Sequence, residues 1–243
     1  MKWNCEIILV IAAFLFFLTI ANYAYAIPIG ATATYVNNST TTNLGNATLN
    51  YSGGSIVTFN FVSNEQNTRW KAFVGNVSGT LKLADSDGYS IYEWDRATTA
   101  GEVYATRTPN TISWAAINCS TFSQIVTEEN AIGHTANPND NISSTFNESD
   151  NTEFYVGTER INANTCNTTN LNINSTRDAS DDFEEMILND GTYTVFAAII
   201  ENDISGYKNG TWVNETYDFQ IMVPENATSG STQLAYYFYV ELT

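Results

Sequence analysis

Short stretches in which apolar and polar residues alternate recur along most of the chain. Residues 69–76 (RWKAFVGN) and 233–242 place successive side chains on opposite faces, whereas residues 191–201 (GTYTVFAAIIE) are almost continuously apolar. Alternation with period two is typical of a strand with one buried face, and a continuous apolar run bounded by turn residues indicates a strand buried on both faces. These segments predict a mainly β fold.

The same pattern predicts further strands between turns rich in Gly and Asn. They cover residues 54–62, 79–84, 89–94, 102–107, 112–117, 152–161 and 216–223. Asp-Ser-Asp-Gly at residues 85–88 predicts a hairpin, because Asp-Gly readily adopts the positive φ of a tight turn. Many short strands with such spacing favour an antiparallel β-sandwich of Ig-like or related topology.

Two segments predict short helices. Residues 120–132 begin with capping Ser and Thr and stop at Gly133, and residues 181–189 begin with acidic residues, which favour the positive end of a helix dipole. Residues 136–150 and 162–180 are rich in Asn, Ser and Asp, and the first of these is expected to form a mobile loop. Without a repeat or a clear linker, residues 51–243 are expected to form one domain.

The first 26 residues have the pattern of a secretory signal peptide. Lys2 precedes the apolar run 7–21, and Ala24-Tyr25-Ala26 provides a small-x-small cleavage site. A retained anchor or pilin-type helix is the alternative, although the run is short for a membrane span. We expect cleavage after Ala26, secretion to the extracellular space or cell surface, and no membrane contact of the mature chain.

Cysteine usage agrees with export. After cleavage only Cys119 and Cys166 remain, and two cysteines outside a reducing compartment most simply pair. Closing a loop of 47 residues would stabilise the fold by about 3–4 kcal/mol. A metal site or a reactive thiol is the alternative, but neither cysteine lies in a CxxC motif.

Acceptor sequons for N-glycosylation are abundant. Asn, Thr and Ser number 30, 32 and 18, and they produce thirteen Asn-x-Ser/Thr sequences. A sequon has meaning on an exposed loop of a secreted chain, a condition that the signal peptide supplies. The sequons are at Asn37, Asn38, Asn46, Asn50, Asn76, Asn118, Asn141, Asn147, Asn167, Asn174, Asn209, Asn214 and Asn226.

The segment that follows the signal peptide has the pattern of a donor strand. Alternation over residues 27–36 puts five side chains on one face, and the polar segment 37–50 would tether this strand to the rest of the chain. Such a strand can complete the sheet of a neighbouring subunit, and repeated head to tail this contact makes a filament. Alternatively, it is the first strand of its own sandwich. The five residues are Ile27, Ile29, Ala31, Ala33 and Tyr35.

Charge and motif content argue against nucleic-acid binding and catalysis. The net charge of −17 repels nucleic acid. His134 is the only histidine, it is expected to be a solvated helix end, and no G-x-S-x-G motif surrounds a serine. We expect no enzyme, no metal and no cofactor other than N-linked glycans.

Acidic residues at 178–190 leave two alternatives open. A solvated helix face is favoured over a calcium site or a glycosidase carboxylate pair. At residues 85–88 a calcium loop would need Glu where Arg96 stands. The acidic residues are Asp178, Asp181, Asp182, Glu184, Glu185 and Asp190.

Aromatic residues leave a second function open. Exposed Trp and Tyr faces can stack on sugar rings, which would suit a secreted glycan- or protein-binding module, whereas packing in the core is the simpler role. The residues concerned are Trp70, Trp94, Trp114, Trp212 and the run 236–239.

Several blocks resemble secreted archaeal proteins of unassigned function. They are WKAFVGNVSG (70–79), IYEW (91–94), GEVYA (101–105), FQIMVP (219–224) and YFYVEL (237–242). The sequon load is also similar to that of glycosylated archaeal filament subunits. The resemblance implies an archaeal cell-surface setting. The sequence therefore predicts a non-enzymatic structural protein, a glycosylated subunit of a filament or surface lattice that assembles with copies of itself.

Overall fold

We describe a computed structural model of the chain. The described residues are 27–35, 52–53, 56–58, 67–87, 89–95, 100–136, 139–173, 176–177, 182–202, 204–205, 216–226 and 233–243. The predicted signal peptide and most of the predicted tether and of strand 54–62 lie outside these residues.

The largest element is a seven-stranded antiparallel sheet, called here the main sheet. Its spatial order is β1 (Ile29–Gly30), β17 (Tyr237–Leu242), β5 (Gly101–Thr106), β13 (Thr194–Ile199) and β12 (Glu184–Asn189), followed by β6 (Asn118–Cys119) and β9 (Thr168–Asn170), which both pair with the outer edge of β12.

The remaining described strands form antiparallel pairs. These are β2 (Trp70–Gly75) with β16 (Phe219–Pro224), β3 (Thr80–Ala84) with β4 (Ser90–Asp95), β7 (Phe154–Val156) with β8 (Glu159–Ile161), β10 (Asn172–Ile173) with β11 (Thr176–Arg177), and β14 (Ile204–Ser205) with β15 (Thr216–Tyr217). Helices in the described part are α1 (Phe122–Ile132) and α2 (Ile142–Thr145), with 3-10 turns at Trp114–Ala116 and His134–Ala136.

Both faces of the main sheet are covered, because its side chains alternate between two cores. On one face, Phe196 and Ile187 pack against α1, α2 and the β2–β16 pair. On the other face, Val195 and Leu188 pack against the β7–β8 pair and the 3-10 turn that contains Trp114. The prediction of a mainly β, antiparallel fold of sandwich type with short helices is confirmed. An Ig-like strand order stays a prediction.

The segment between β6 and β9 wraps around the β12 edge of the main sheet. It supplies α1 and α2 to one core and the β7–β8 pair to the other. Cys119 and Cys166 lie at its two ends and are joined by a disulfide, with their Cα atoms 4.8 Å apart. The predicted disulfide is therefore confirmed, and it closes the segment that links the two cores.

The predicted helix 181–189 is wrong, since these residues form the turn 182–183 and strand β12. Glu184–Asn189 is buried along its whole length between β13 and the β6 and β9 strands. Phe183 has a φ of 52°, a left-handed conformation that a right-handed helix cannot contain. A short apolar run is compatible with either element, and pairing with distant strands decides the outcome here.

Three other local predictions are wrong. Residues 112–117 contain a 3-10 turn instead of a strand, and residues 152–161 form the β7–β8 hairpin, which turns at Gly157 (φ 59°), instead of one strand. The predicted mobile loop 136–150 contains α2, whose Ile142 is fully buried with the neighbouring Phe146. These two apolar side chains anchor an otherwise polar segment in the core.

Helix α1 and the β3–β4 hairpin are confirmed. Thr121 and Gln124 form a reciprocal capping box, and Gly133 ends α1 with a φ of 75°. The carboxylate of Asp85 accepts hydrogen bonds from the backbone N–H groups of Asp87 and Tyr89, which fixes the predicted turn.

Candidate functional site: the N-terminal edge of the main sheet and a buried acid pair

The predicted donor segment lies at one edge of the main sheet. Ile29 and Gly30 stand opposite Val240 and Tyr239 of β17, and the N–H of Ala31 lies 3.5 Å from the Phe238 carbonyl oxygen. In the single chain this strand therefore pairs with its own sheet, as the alternative interpretation expects. The pairing is only two residues long.

Apart from Pro28, which is buried, the side chains of this edge segment gain little burial from the pairing. Ile27, Ile29 and Tyr35 remain 61%, 69% and 74% exposed, and Ala31 and Ala33 are also exposed. Fully burying an Ile or a similar side chain is worth about 1.5–3 kcal/mol, and this stabilisation is largely missing here. The edge strand thus combines exposed apolar side chains with a minimal set of backbone contacts.

The strand next to the edge carries a buried carboxyl group. Glu241 of β17 stands directly opposite Glu102 of β5, and their exposed fractions are 2% and 5%. We call these two residues the acid pair. The Tyr104 hydroxyl lies 3.2 Å from Glu241 Oε2 and 3.5 Å from Glu102 Oε2, and the Gly157 N–H donates to both oxygens of Glu241 at 2.9 and 3.1 Å.

Burial and mutual repulsion control the ionisation of the acid pair. Desolvation, followed by the nearby Glu241 charge, raises the pKa of Glu102 to about 8, although the Tyr104 hydroxyl opposes the shift. Desolvation also raises the pKa of Glu241, against the stabilising hydrogen bonds from Gly157 and Tyr104. Because Glu241 accepts more donors, it is the better site for a negative charge, and Glu102 keeps its proton at neutral pH.

The acid pair is therefore a structural junction. A catalytic carboxyl group must contact its substrate, whereas these side chains are almost completely enclosed by β5, β17, Tyr104 and the β7–β8 turn. Its location couples β17, which pairs with the edge strand, to the β7–β8 turn in the core that contains Tyr104.

The acidic residues predicted to form a solvated helix face are placed differently. Glu184 and Glu185 of β12 are both buried and point to opposite faces of the main sheet. Glu184 accepts hydrogen bonds from the N–H and hydroxyl of Thr152, and Glu185 accepts one from the N–H of Met222 at 2.8 Å. Burial raises the pKa of Glu185 well above its usual range.

Other acidic residues of that segment are dispersed. Asp190 caps a turn by accepting from the N–H groups of Thr192 and Tyr193, and Asp178 and Asp181 lie outside the described residues. Within the described ranges, no three His, Cys, Asp or Glu side chains come together in a metal-binding group.

The expectation of a solvated His134 is wrong. Its ring is fully buried, with Nε2 2.8 Å from the Glu225 carbonyl oxygen and the ring edge-on to Trp70 at 5.6 Å. Desolvation lowers the pKa of His134, so the imidazole is neutral at physiological pH. Arg69 donates to the His134 carbonyl oxygen and forms an ion pair with Asp140 at 3.1 Å, which makes His134 part of a structural cluster.

The described sequons differ in accessibility. Asn76, Asn118 and Asn147 are exposed, and Asn167 and Asn226 are half-buried. Asn141 is only 9% exposed, and its side-chain oxygen caps α2 by accepting from the Ser144 N–H at 2.9 Å. The seven others, outside the described residues, are Asn37, Asn38, Asn46, Asn50, Asn174, Asn209 and Asn214.

Most described aromatic candidates pack internally. Trp114 lies between Tyr104 and Tyr239, with ring centroids 5.2 Å from each, and the Trp70 indole N–H donates to the Asp140 carbonyl oxygen. The Tyr236 hydroxyl donates to the Pro224 carbonyl oxygen. Trp212 and the Trp94 side chain lie outside the described residues.

The exposed aromatic residues that sequence reasoning missed lie on the β3–β4 hairpin. Leu83 and Tyr92 are opposite each other on one face and are about half exposed, while Ile91 on the other face is 83% exposed. Tyr89 at the turn is also exposed. The described apolar side chains of this hairpin are exposed on both faces, so they form a second apolar surface.

The acid pair was also missed. Alternation placed Glu241 on the face of Tyr237 and Tyr239, as the structure has it, but Glu102 is separated from Glu241 by most of the chain. Only the register of β5 with β17 brings the two together, and no local pattern reports such a register.

Comparisons with family models, curated proteins and solved structures found no match to this chain. The resemblance to archaeal surface proteins therefore stays a prediction. Within the described part of the chain, no helix is both long and apolar enough to span a membrane.

Proposed function

We propose that this chain is a secreted, N-glycosylated structural protein without enzymatic activity, a subunit of an extracellular filament or surface coat. In this proposal residues 27–36 leave the edge of their own main sheet and pair with β17 of the next copy. Each subunit donates one strand and receives one, so the contact continues head to tail without closing.

The observation that carries the proposal is the edge strand itself. Its pairing with β17 involves two residues, and its apolar side chains Ile27, Ile29 and Tyr35 remain mostly exposed. A strand held so weakly can exchange at small cost, because the same backbone hydrogen bonds re-form on the neighbouring copy. Burial of the apolar side chains against that copy would provide the net stabilisation.

Compartment and surface chemistry also support the proposal. The apolar segment 7–21 with its small-x-small site, the Cys119–Cys166 disulfide and the thirteen sequons are together typical of secreted proteins. Exposed positions such as Asn76 and Asn118 can carry glycans without disturbing a core.

Electron microscopy of the secreted protein tests the proposal. Filaments or sheets are expected from the full chain, whereas a variant without residues 27–36 should remain monomeric. Phe122→Asp is the matched control, because Phe122 is another exposed apolar residue, at the start of α1. Wild-type protein that stays monodisperse on concentration, or equal assembly by the deletion variant, would refute strand exchange.

A glycan- or protein-binding module is the second candidate, favoured by the β3–β4 hairpin. Tyr89 and Tyr92 present aromatic surface outside the core, as a stacking site for a sugar or a contact with another surface protein requires. Tyr89→Ala with Tyr92→Ala should abolish such binding and leave assembly unchanged, whereas deletion of residues 27–36 should have the reverse effect. Glycan-array binding that survives the double substitution would exclude the hairpin as the binding surface.

A further inference from the structure

A groove of about 430 Å³ lies where α2, β9 and β16 meet. Its polar wall includes Ser144, Asn147 and Thr169, and Leu171 and Met222 add an apolar part. Its size is that of a small-ligand site, and five of its seven lining residues are polar, which suits a ligand rich in hydroxyl groups. None of these side chains is charged at any physiological pH.

A buried carboxyl group lies next to the groove wall. Glu185 is fully buried, and both its ladder partner Thr169 and its hydrogen-bond donor Met222 contribute to the groove wall. Burial raises the pKa of the Glu185 carboxyl group well above its usual range, which favours its neutral, protonated form. A neutral ligand rich in hydroxyl groups therefore matches this groove better than an ion does.

One residue of the wall is itself a glycan acceptor. Asn147 belongs to the sequon Asn147-Glu148-Ser149, and it is an exposed residue of the groove wall. The amide of Asn141 is committed to capping α2, and the side-chain N–H of Asn167 donates to the Phe146 carbonyl oxygen. Among these three neighbouring sequons, only Asn147 is both exposed and part of the groove wall.

We propose that the groove is the seat of the N-glycan carried by Asn147, and that its first sugar units pack against Thr169, Leu171 and Met222. A sugar attached at the wall has a very high effective concentration in the groove, so weak contacts suffice to hold it. Its hydroxyl groups would bond the polar wall while a C–H face covers the two apolar side chains. The inference rests on the glycoprotein part of the proposed function.

The test uses full-length protein secreted from a host that performs N-glycosylation. Native protein is treated with an endoglycosidase, and glycan release is followed at each site by mass spectrometry. Release from Asn147 should be at least tenfold slower than release from Asn76, an exposed sequon outside the groove wall. Ser149→Ala, which removes the Asn147 glycan, should lower the melting temperature, whereas Ser78→Ala, which removes the Asn76 glycan, should not.

A substitution in the groove wall tests the contacts between the groove and the glycan while the glycan itself stays attached. Leu171→Lys keeps every sequon but projects a long charged side chain into the groove, so release from Asn147 should become as fast as from Asn76. Equal release rates in the wild-type protein, or a glycan at Asn76 but none at Asn147, would overturn the seat alone. A chain without glycans at any sequon would overturn the proposed glycoprotein, and the seat with it.

Discussion

Replacing Glu102 by Gln should remove a large part of the pH dependence of folding stability. The pKa of Glu102 is about 8 in the folded chain and 4.5 without the fold. Between these values the folded state binds a proton that the unfolded state has lost, so stability falls as the pH rises. Below pH 4.5 both states are protonated and the contribution of Glu102 is fully present.

The magnitude follows from the shift. A displacement of one pKa unit corresponds to about 1.4 kcal/mol, so the loss across the window approaches about 5 kcal/mol as an upper limit. Little of this is screened by solvent, because Glu102 and Glu241 are almost fully buried. Gln is neutral at every pH and has nearly the same shape as the protonated Glu102 side chain.

Urea denaturation of the wild-type and Glu102→Gln proteins at several pH values between 4.5 and 8 is the assay. The variant should gain relative stability as the pH rises, with a difference that grows by up to about 1.4 kcal/mol per pH unit. Glu153→Gln is the control, because Glu153 is exposed in a surface ion pair with Arg160 and should leave the slope in this window unchanged. Parallel stability curves for wild type and Glu102→Gln would show that Glu102 is ionised at neutral pH, and would refute the reasoning.

Two further predictions concern covalent and backbone constraints. Cys119→Ser with Cys166→Ser should lower the free energy of unfolding by about 3–4 kcal/mol in urea denaturation, because the disulfide closes a loop of 47 residues that links the two cores. A decrease in this free energy of less than about 1 kcal/mol would contradict this role of the disulfide. Gly101→Ala should lower the melting temperature strongly, because Gly101 has a φ of 133° and an added Cβ would lie 2.0 Å from the Glu241 carbonyl oxygen. Gly191→Ala is the control: Gly191 also has a positive φ, of 95°, but open space surrounds it. This substitution should therefore cost only about 1–3 kcal/mol of backbone strain. Equal effects would argue against a close approach of β17 to Gly101.

Local sequence patterns were sufficient to predict the conformation of a segment where all of them indicated the same element. Helix α1 has a capping box at its start and glycine at its end, and β13 is a long apolar run between turns, so both could be predicted from a few neighbouring residues. The disulfide followed from cysteine number and export, without knowledge of the fold.

Segments whose conformation depends on distant pairing could not be predicted in this way. Acidic residues before an apolar run resemble a helix start, yet Glu184 and Glu185 belong to a strand with partners on both sides. Their burial is tolerated because Thr152 and Met222 supply donors, and these lie far away in the sequence. His134 is a similar case, since its burial depends on Trp70 and Glu225.

The most direct measurement of the central claim is a cross-link between the edge strand and β17. Ile29 and Val240 are directly opposite each other, and antiparallel partners lie at a Cα separation that suits a disulfide. The chain with Ile29→Cys and Val240→Cys is secreted, oxidised and run on a non-reducing gel. It should give a ladder of covalent multimers, because the edge strand of each copy pairs with β17 of the next copy. A single monomer band, with the new disulfide mapped within one chain by mass spectrometry, would contradict assembly by strand exchange.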